Sequence, residues 1–188
     1  MNVSSKNLSF VAIMTALCVG SNYALIGVPN VKFMDLFVFV SGYLAGSLSG
    51  VAVGFLTWLV YGTLNPYGFD LPTFLTTSIG ETIYGVAGGL MARSGLGLSS
   101  SSSATLMGRS YWGTSLKLGM LGFLLTFVYD LFTNVVTGIV FGIPLILWII
   151  QGVPYTVAHE VSNFFFFLAG GNVLINAIRR IMCKGGES

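Results

Sequence analysis

The chain consists largely of long apolar segments that carry almost no charge. The stretch from Leu36 to Leu64, about 29 residues, contains no Asp, Glu, Lys, Arg or His. Of all 188 residues, 54% are hydrophobic and only 7% are charged, whereas soluble domains carry about 25% charged residues. The alternating pattern of a membrane β-barrel is absent. We therefore predict an all-α integral membrane protein that forms a single domain over residues 1–188.

Turn signals divide this domain into six predicted transmembrane helices. The predicted spans are about 8–27, 36–46, 50–64, 71–91, 115–141 and 154–178, with a flexible, Ser-rich cytoplasmic loop at 94–112. A Gly/Ser run at 46–50 separates the second span from the third, and one long tilted helix is the alternative. The sequence IPLILWIIQ at 143–151 is too short to cross a bilayer. We expect it at the membrane interface, where Trp148 suits it.

The distribution of basic residues predicts the orientation of the six spans. Seven of the eight Lys and Arg residues fall on one side of this topology, namely Lys6, Arg93, Arg109, Lys117, Arg179, Arg180 and Lys184. Only Lys32 falls on the opposite side. Cytoplasmic loops are enriched in Lys and Arg. The pattern therefore predicts a multi-pass protein of the cell membrane with both termini cytoplasmic.

Four ionisable residues lie inside the predicted spans: Glu81, Asp130, His159 and Glu160. A charged residue at the centre of a membrane helix costs about 2.5–3.5 kcal/mol on insertion scales, and such residues commonly serve a solute, an ion or a partner helix. With a rise of about 1.5 Å per residue, all four lie between the midplane and the outer surface. Because three different helices contribute them, we predict a polar pocket in the outer half of the membrane.

Polar stripes at helical spacing accompany these residues and extend the predicted pocket. The candidate substrate-binding residues are Glu81, Tyr84, Asp130, Asn134, Tyr155, His159, Glu160 and Asn163. The lining would be net acidic, which favours a cationic or donor-rich ligand. Asp130 has an alternative role as an internal partner of His159, and isolated polar residues often join membrane helices.

Several kinds of chemistry lack their motifs. His159-Glu160 begins a zinc-protease helix motif, but the second His is missing. No P-loop is present, and Cys18 and Cys183 have no metal-type spacing. The basic residues form no long run, so nucleic acid is not an expected partner. We expect a protein that is not an enzyme and holds no cofactor of its own.

A set of short motifs spread over nearly the whole chain matches a known family. Small residues recur in the first span as Ala12-Ile13-Met14-Thr15-Ala16, and an outer loop reads Pro29-Asn30-Val31-Lys32 before Asp35. A Gly-rich turn follows at 46–50, and Asp130 with Asn134 precedes Gly152-Val153-Pro154, His159 and Asn163. With these motifs the chain resembles the substrate-binding S-components of energy-coupling factor (ECF) transporters, the vitamin importers of bacteria and archaea.

The resemblance implies a specific function in a bacterial or archaeal plasma membrane. The chain would bind a vitamin or vitamin-like small molecule from outside. It would dock through Ala12 and Ala16 on a membrane T-component with two cytoplasmic ATPase subunits. ATP hydrolysis by those partners would drive toppling of the chain and release of the ligand inside. The gating residues would be Asn30, Lys32, Asp35, Asn65, Tyr67 and Asp70.

Two other functions are compatible with the sequence. The buried carboxylates are also typical of a self-contained proton-coupled transporter or channel, in which they form a relay. They would equally serve a non-transporting assembly subunit whose charges pair with a partner helix. For the importer, the acidic lining favours an amine-bearing ligand such as a thiamine-related compound, with a corrinoid or a modified-base precursor as alternatives.

Overall fold

A computed structural model describes residues 5–64, 66, 68–94 and 109–184, excluding the side chains of residues 109, 110, 183 and 184. This part of the chain folds into six α-helices and contains no strand. The helices are α1 (Ser5–Ala24), α2 (Met34–Ala45), α3 (Ser47–Leu64), α4 (Leu71–Arg93), α5 (Arg109–Val140) and α6 (Leu145–Lys184). The predicted all-helical class is confirmed for these residues. Of the predicted Ser-rich loop, residues 95–108 lie outside the described residues, and its last four residues already belong to α5.

Four of the helices are long and apolar enough to cross a membrane. They are α1, α3, α5 over Tyr111–Val140 and α6 over Leu145–Met182. Helix α2 is apolar but has only 12 residues, most of which are buried inside the protein. Helix α4 has 23 residues and contains the buried Glu81. The two helices without a long apolar window therefore include α2, most of which is buried, and α4, which buries a carboxyl.

The helix α2 ends at a glycine that redirects the chain into α3. Gly46 has a φ of +90°, a conformation that residues with a Cβ rarely adopt. Its backbone N–H donates to the Gly42 carbonyl at 3.0 Å. The break at Gly46 allows α3 to turn back beside α2.

Glycines allow α2, α3 and α4 to approach one another at backbone distance. A Cβ on Gly42 would lie 2.0 Å from the Gly85 carbonyl oxygen, and one on Gly50 would lie 2.6 Å from the Gly85 Cα. Any larger residue at these positions would push the helices apart, because backbone atoms cannot move aside as a flexible side chain can. The close packing of these three helices fixes the wall that carries Trp58 and Glu81.

Helix α6 is one continuous helix of 40 residues, about 60 Å long at 1.5 Å per residue. The helix therefore begins at Leu145, nine residues before the predicted start near Pro154, and the segment is not separate from α6. Its place at the membrane interface stays a prediction. Pro154 removes one backbone donor from the helix interior, and the turns before it pack on α5. A Cβ on Gly138 of α5 would lie 3.0 Å from both Leu145 and Trp148, and Trp148 Nε1 donates to Thr137 Oγ1 at 3.1 Å.

Candidate functional site

A buried histidine joins two carboxylates from different helices. His159 Nε2 lies 2.6 Å from Asp35 Oδ2, and His159 Nδ1 lies 3.1 Å from Asp130 Oδ1. His159 and Asp35 are fully buried, and Asp130 is 4% exposed. These three residues, here called the acid–imidazole network, connect α2, α5 and α6. A protonated imidazole would donate to both carboxylates, while a neutral one donates to only one of them.

Uncharged side chains extend the acid–imidazole network toward α4. Asn163 Nδ2 donates to Asp35 Oδ2 at 2.5 Å and to Thr126 Oγ1 at 2.7 Å. The Tyr84 hydroxyl donates to the same Thr126 oxygen at 3.0 Å. Asn163, Thr126 and Tyr84 are all fully buried. Hydrogen bonds of this kind offset the desolvation of the polar groups that make them.

Glu81 lies beside this network and is only partly satisfied. Its Oε2 accepts a hydrogen bond from Trp58 Nε1 at 3.3 Å, and its carboxyl lies within electrostatic range of Asp35. Among the residues that the structure describes, Glu81 Oε1 and Asp35 Oδ1 have no donor. An ionised carboxylate only accepts hydrogen bonds, so each of these two oxygens is open to a donor. The pair therefore offers a position for a proton or for a donor group.

Lys32 brings a positive charge over these acids. Its Nζ lies 5.2 Å from the centroid of the Trp58 ring and 5.5 Å from that of Tyr129, both within the range of a cation–π interaction. Lys32 is also within electrostatic range of Asp35 and Glu81. The loop between α1 and α2, residues 25–33 and here called loop 1, thus supplies a counter-ion to the buried carboxylates.

A cavity of about 510 Å³ lies beneath loop 1. Its wall combines loop 1 with Trp58 and Tyr61 of α3, Thr73 and Thr77 of α4, and Tyr155 of α6. The volume falls within the range of about 300–1,000 Å³ that is usual for sites that bind small molecules. A mixed wall of aromatic rings and a few polar groups is also typical of such sites.

Loop 1 is fastened to α6 at the edge of this cavity. Asn30 Nδ2 donates to the Tyr155 carbonyl at 3.0 Å. Asn30 has a φ of +58°, in the left-handed region that asparagine tolerates better than most residues with a side chain. The hydrogen bond and the left-handed turn together hold loop 1 over the cavity.

A second, smaller cavity of about 200 Å³ adjoins the first. Asp130, Asn134 and Trp148 line it, and Asn30, Lys32, Thr73 and Thr77 line both cavities. Asn134 Nδ2 also approaches Thr156 Oγ1 at 3.5 Å. The side chains of loop 1 therefore stand between the two cavities, with Asp130 reached from the smaller one.

The predicted substrate-binding residues fall into three groups. Tyr155 lines the larger cavity, and Asp130 and Asn134 line the smaller one. Buried around the acid–imidazole network are Glu81, Tyr84, His159 and Asn163. Glu160 is 8% exposed and lines neither cavity. Contact with a ligand remains a prediction for all eight residues. Asp130 lines a cavity and also contacts His159, so the structure is compatible with a role in ligand binding and with a role as the partner of His159.

The predicted gating residues also occupy different places. Asn30, Lys32 and Asp70 line the larger cavity, and Asp70 caps α4 by accepting from the Thr73 backbone N–H at 2.8 Å. Asp35 lies in the first turn of α2 and belongs to the buried acid–imidazole network. Asn65 and Tyr67 lie outside the described residues.

Sequence reasoning missed Tyr129 and the contact between Trp58 and Glu81. Tyr129 precedes Asp130 and lies about 100° from it around the helix, so it does not belong to the same polar stripe. The isolation of Lys32 as the one basic residue on its predicted side was the signal available for its role. An unpaired lysine near acidic spans has those acids as its natural counter-ions.

The described side chains contain no cluster of three or more His, Cys, Asp or Glu residues arranged to hold a metal ion. Compared with known proteins, the chain matches no family model, and no curated protein or solved structure is significantly similar to it. The case for a function therefore rests on the geometry of the cavities and of the charged groups beside them.

Proposed function

We propose that the protein is the high-affinity substrate-binding subunit of an ATP-driven ECF-type importer for a vitamin or vitamin-like molecule. The observation that carries this proposal is the cavity of about 510 Å³ under loop 1. Its aromatic and polar wall suits a small polar organic molecule, which aromatic rings contact by stacking and polar groups orient by hydrogen bonds. Binding to such a site needs no chemical step.

All six helices span the membrane in this proposal, and both termini are cytoplasmic. The four long apolar helices support four of the spans, and α2 and α4 complete the set from the interior. The distribution of Lys and Arg supports the orientation. Loop 1 then faces outward, so the solute enters the larger cavity from outside the cell.

The outer face of α1 supports the proposed docking on a T-component. Ala12 and Ala16 are exposed, whereas Met14, Cys18 and Asn22 on the opposite face are buried. Small side chains on an exposed membrane helix permit close approach by another helix. The T-component would contact this face, and two cytoplasmic ATPase subunits would hydrolyse ATP.

Uptake by the reconstituted protein tests this proposal. Liposomes are prepared with this chain alone, or with the chain, a T-component and two ATPase subunits, and are supplied with the small molecule that co-purifies with the chain. We expect the solute to accumulate only in liposomes with the complete assembly. ATP must be present on the side of the membrane where the ATPase subunits lie. Accumulation by the chain alone would contradict the proposal.

One observation favours a second candidate, a proton-coupled transporter. The acid–imidazole network is a continuous chain of titratable groups from Asp35 through His159 to Asp130, and Asp130 reaches the smaller cavity. Such a chain is suited to proton transfer. This candidate predicts uptake by liposomes that contain only this chain, abolished when the pH gradient is collapsed.

A further inference from the structure

The ammonium group of Lys32 occupies an aromatic cage. Trp58 and Tyr129 present their rings at 5.2 Å and 5.5 Å from Nζ, although they belong to α3 and α5. Trp58 is 7% exposed and Tyr129 is 2% exposed. Two buried rings from separate helices around one cation form the arrangement by which proteins recognise organic ammonium groups.

The groups around this cage favour a positive charge. Asp35 and Glu81 are fully buried and within electrostatic range of Lys32, and Asp130 lines the same small cavity. Among the described side chains in contact with these acids, His159 is the one other group that can carry a positive charge. With three carboxyls and one imidazole, the site can carry an excess of negative charge, which a further cation reduces.

The cation that fills the cage belongs to the segment that covers the cavity. Lys32 lies two residues after Asn30, which fastens loop 1 to α6, and both residues line the larger and the smaller cavity. A movement of loop 1 away from α6 would therefore open the cavity and, at the same time, withdraw the Lys32 ammonium from the cage. The cage and the acids beneath it would then lack their cation.

We propose that the ligand of the larger cavity is an organic cation whose charged group replaces Lys32 between Trp58, which lines that cavity, and Tyr129, which lines the smaller one. This inference rests on the proposed function and names its substrate class. Lys32 then acts as an internal competitor that fills the site until a ligand arrives. An anionic ligand would instead have to displace or share Lys32 beside Asp35 and Glu81, which repel it.

Three probes of one shape and different charge test the substrate class. They are choline, its uncharged isostere 3,3-dimethylbutan-1-ol, and the anion 3,3-dimethylbutanoate. Binding to the purified, detergent-solubilised full chain is followed by titration of tryptophan fluorescence, after removal of any co-purified solute. The variants are Lys32→Met, which removes the competitor, and Lys117→Met, which makes the same change at an exposed position of α5.

We expect Lys32→Met to bind choline about tenfold more tightly than the wild type, a ratio within the range of cation–π strengths. The uncharged alcohol and the anion should both bind more weakly than choline to the wild type and to every variant. Lys117→Met should match the wild type. A Lys32→Met variant that binds choline no better than the wild type, or a wild type that prefers 3,3-dimethylbutanoate, would overturn the proposal.

Chemical labelling of the wild-type protein gives a test that does not depend on folding of the variant. Choline should raise acetylation of Lys32 by an amine-reactive reagent several-fold, because the displaced ammonium becomes accessible, and should leave Lys117 unchanged. Unchanged or reduced labelling of Lys32 would contradict displacement. Failure of the proposed function has a different signature, since the complete assembly would then import no solute of any charge.

Discussion

Replacement of His159 with leucine would break the acid–imidazole network at its centre. The substitution keeps a side chain of similar size, so it leaves little empty space. It removes the group that lies 2.6 Å from Asp35 and 3.1 Å from Asp130. Asp35 would keep only the Asn163 amide as a neighbour on the same oxygen. Two buried carboxyls would lose their shared partner.

The expected loss of stability follows from the burial of those carboxyls. Asp35 is 0% exposed, so water does not replace the lost imidazole there, whereas Asp130 borders the smaller cavity. Breaking one buried ion pair typically costs about 3–5 kcal/mol. A loss of about 3 kcal/mol reduces the folding equilibrium constant more than a hundredfold. Replacing all the charged partners together by apolar residues of similar volume is often close to neutral, so Asp35→Val and Asp130→Val added to His159→Leu should restore most of the stability.

The assay is reversible unfolding in mixed micelles, with helicity and tryptophan fluorescence as probes. Thr63→Ala is the control, because Thr63 is exposed and its hydroxyl donates to the Leu59 and Val60 carbonyls of its own helix, and we expect a change within about 0.5 kcal/mol. A loss below about 1 kcal/mol for His159→Leu would refute the role given to the network. A triple variant no more stable than His159→Leu would refute it equally.

Three further predictions concern helix packing, docking and the covering loop. Gly85→Leu should abolish folding, since its Cβ alone would lie 2.4 Å from α3 backbone, whereas Gly20→Ala, with nothing within 4 Å of its Cβ, should keep the wild-type melting temperature in detergent. Ala16→Leu should bind the co-purified solute normally but stop uptake by the complete assembly, whereas the exposed Ala92→Leu should leave both binding and uptake unchanged; normal uptake by Ala16→Leu would contradict docking through α1. Asn30→Gly keeps the left-handed turn but loses the bond to α6, so it should speed dissociation of the solute in stopped-flow measurements, and an unchanged rate would contradict the fastening of loop 1.

The helical class and most helix positions follow from local sequence, because apolar runs and glycine breaks act within a few residues. The start of α6 does not. Pro154 is a common first-turn residue, and only the packing of Trp148 on α5 shows that the helix begins earlier. The predicted start near Pro154 missed these first turns because their contact with the neighbouring helix is not visible in the local sequence.

The polar stripes predicted part of the site because the members of each stripe lie on the same helix, where their spacing is visible in the local sequence. Asp130, His159 and Asn163 were recognised by spacing, and all three lie in the buried network or beside it. Asp35 was assigned to a gating loop, since nothing local shows that α2 starts at Met34 and turns its first carboxylate inward. Contacts between distant segments, 124 residues apart for Asp35 and His159, are set by the packing of whole helices.

The central claim is that the isolated chain binds a small organic molecule in the cavity under loop 1. Mass spectrometry of molecules released from the purified protein tests it most directly, with Thr73→Trp as a variant that fills the cavity, because Thr73 lines it and is half-buried. We predict one bound molecule per wild-type chain without ATP, and none in folded Thr73→Trp. A wild-type protein that carries no such molecule, or a variant that carries as much as the wild type, would contradict the claim.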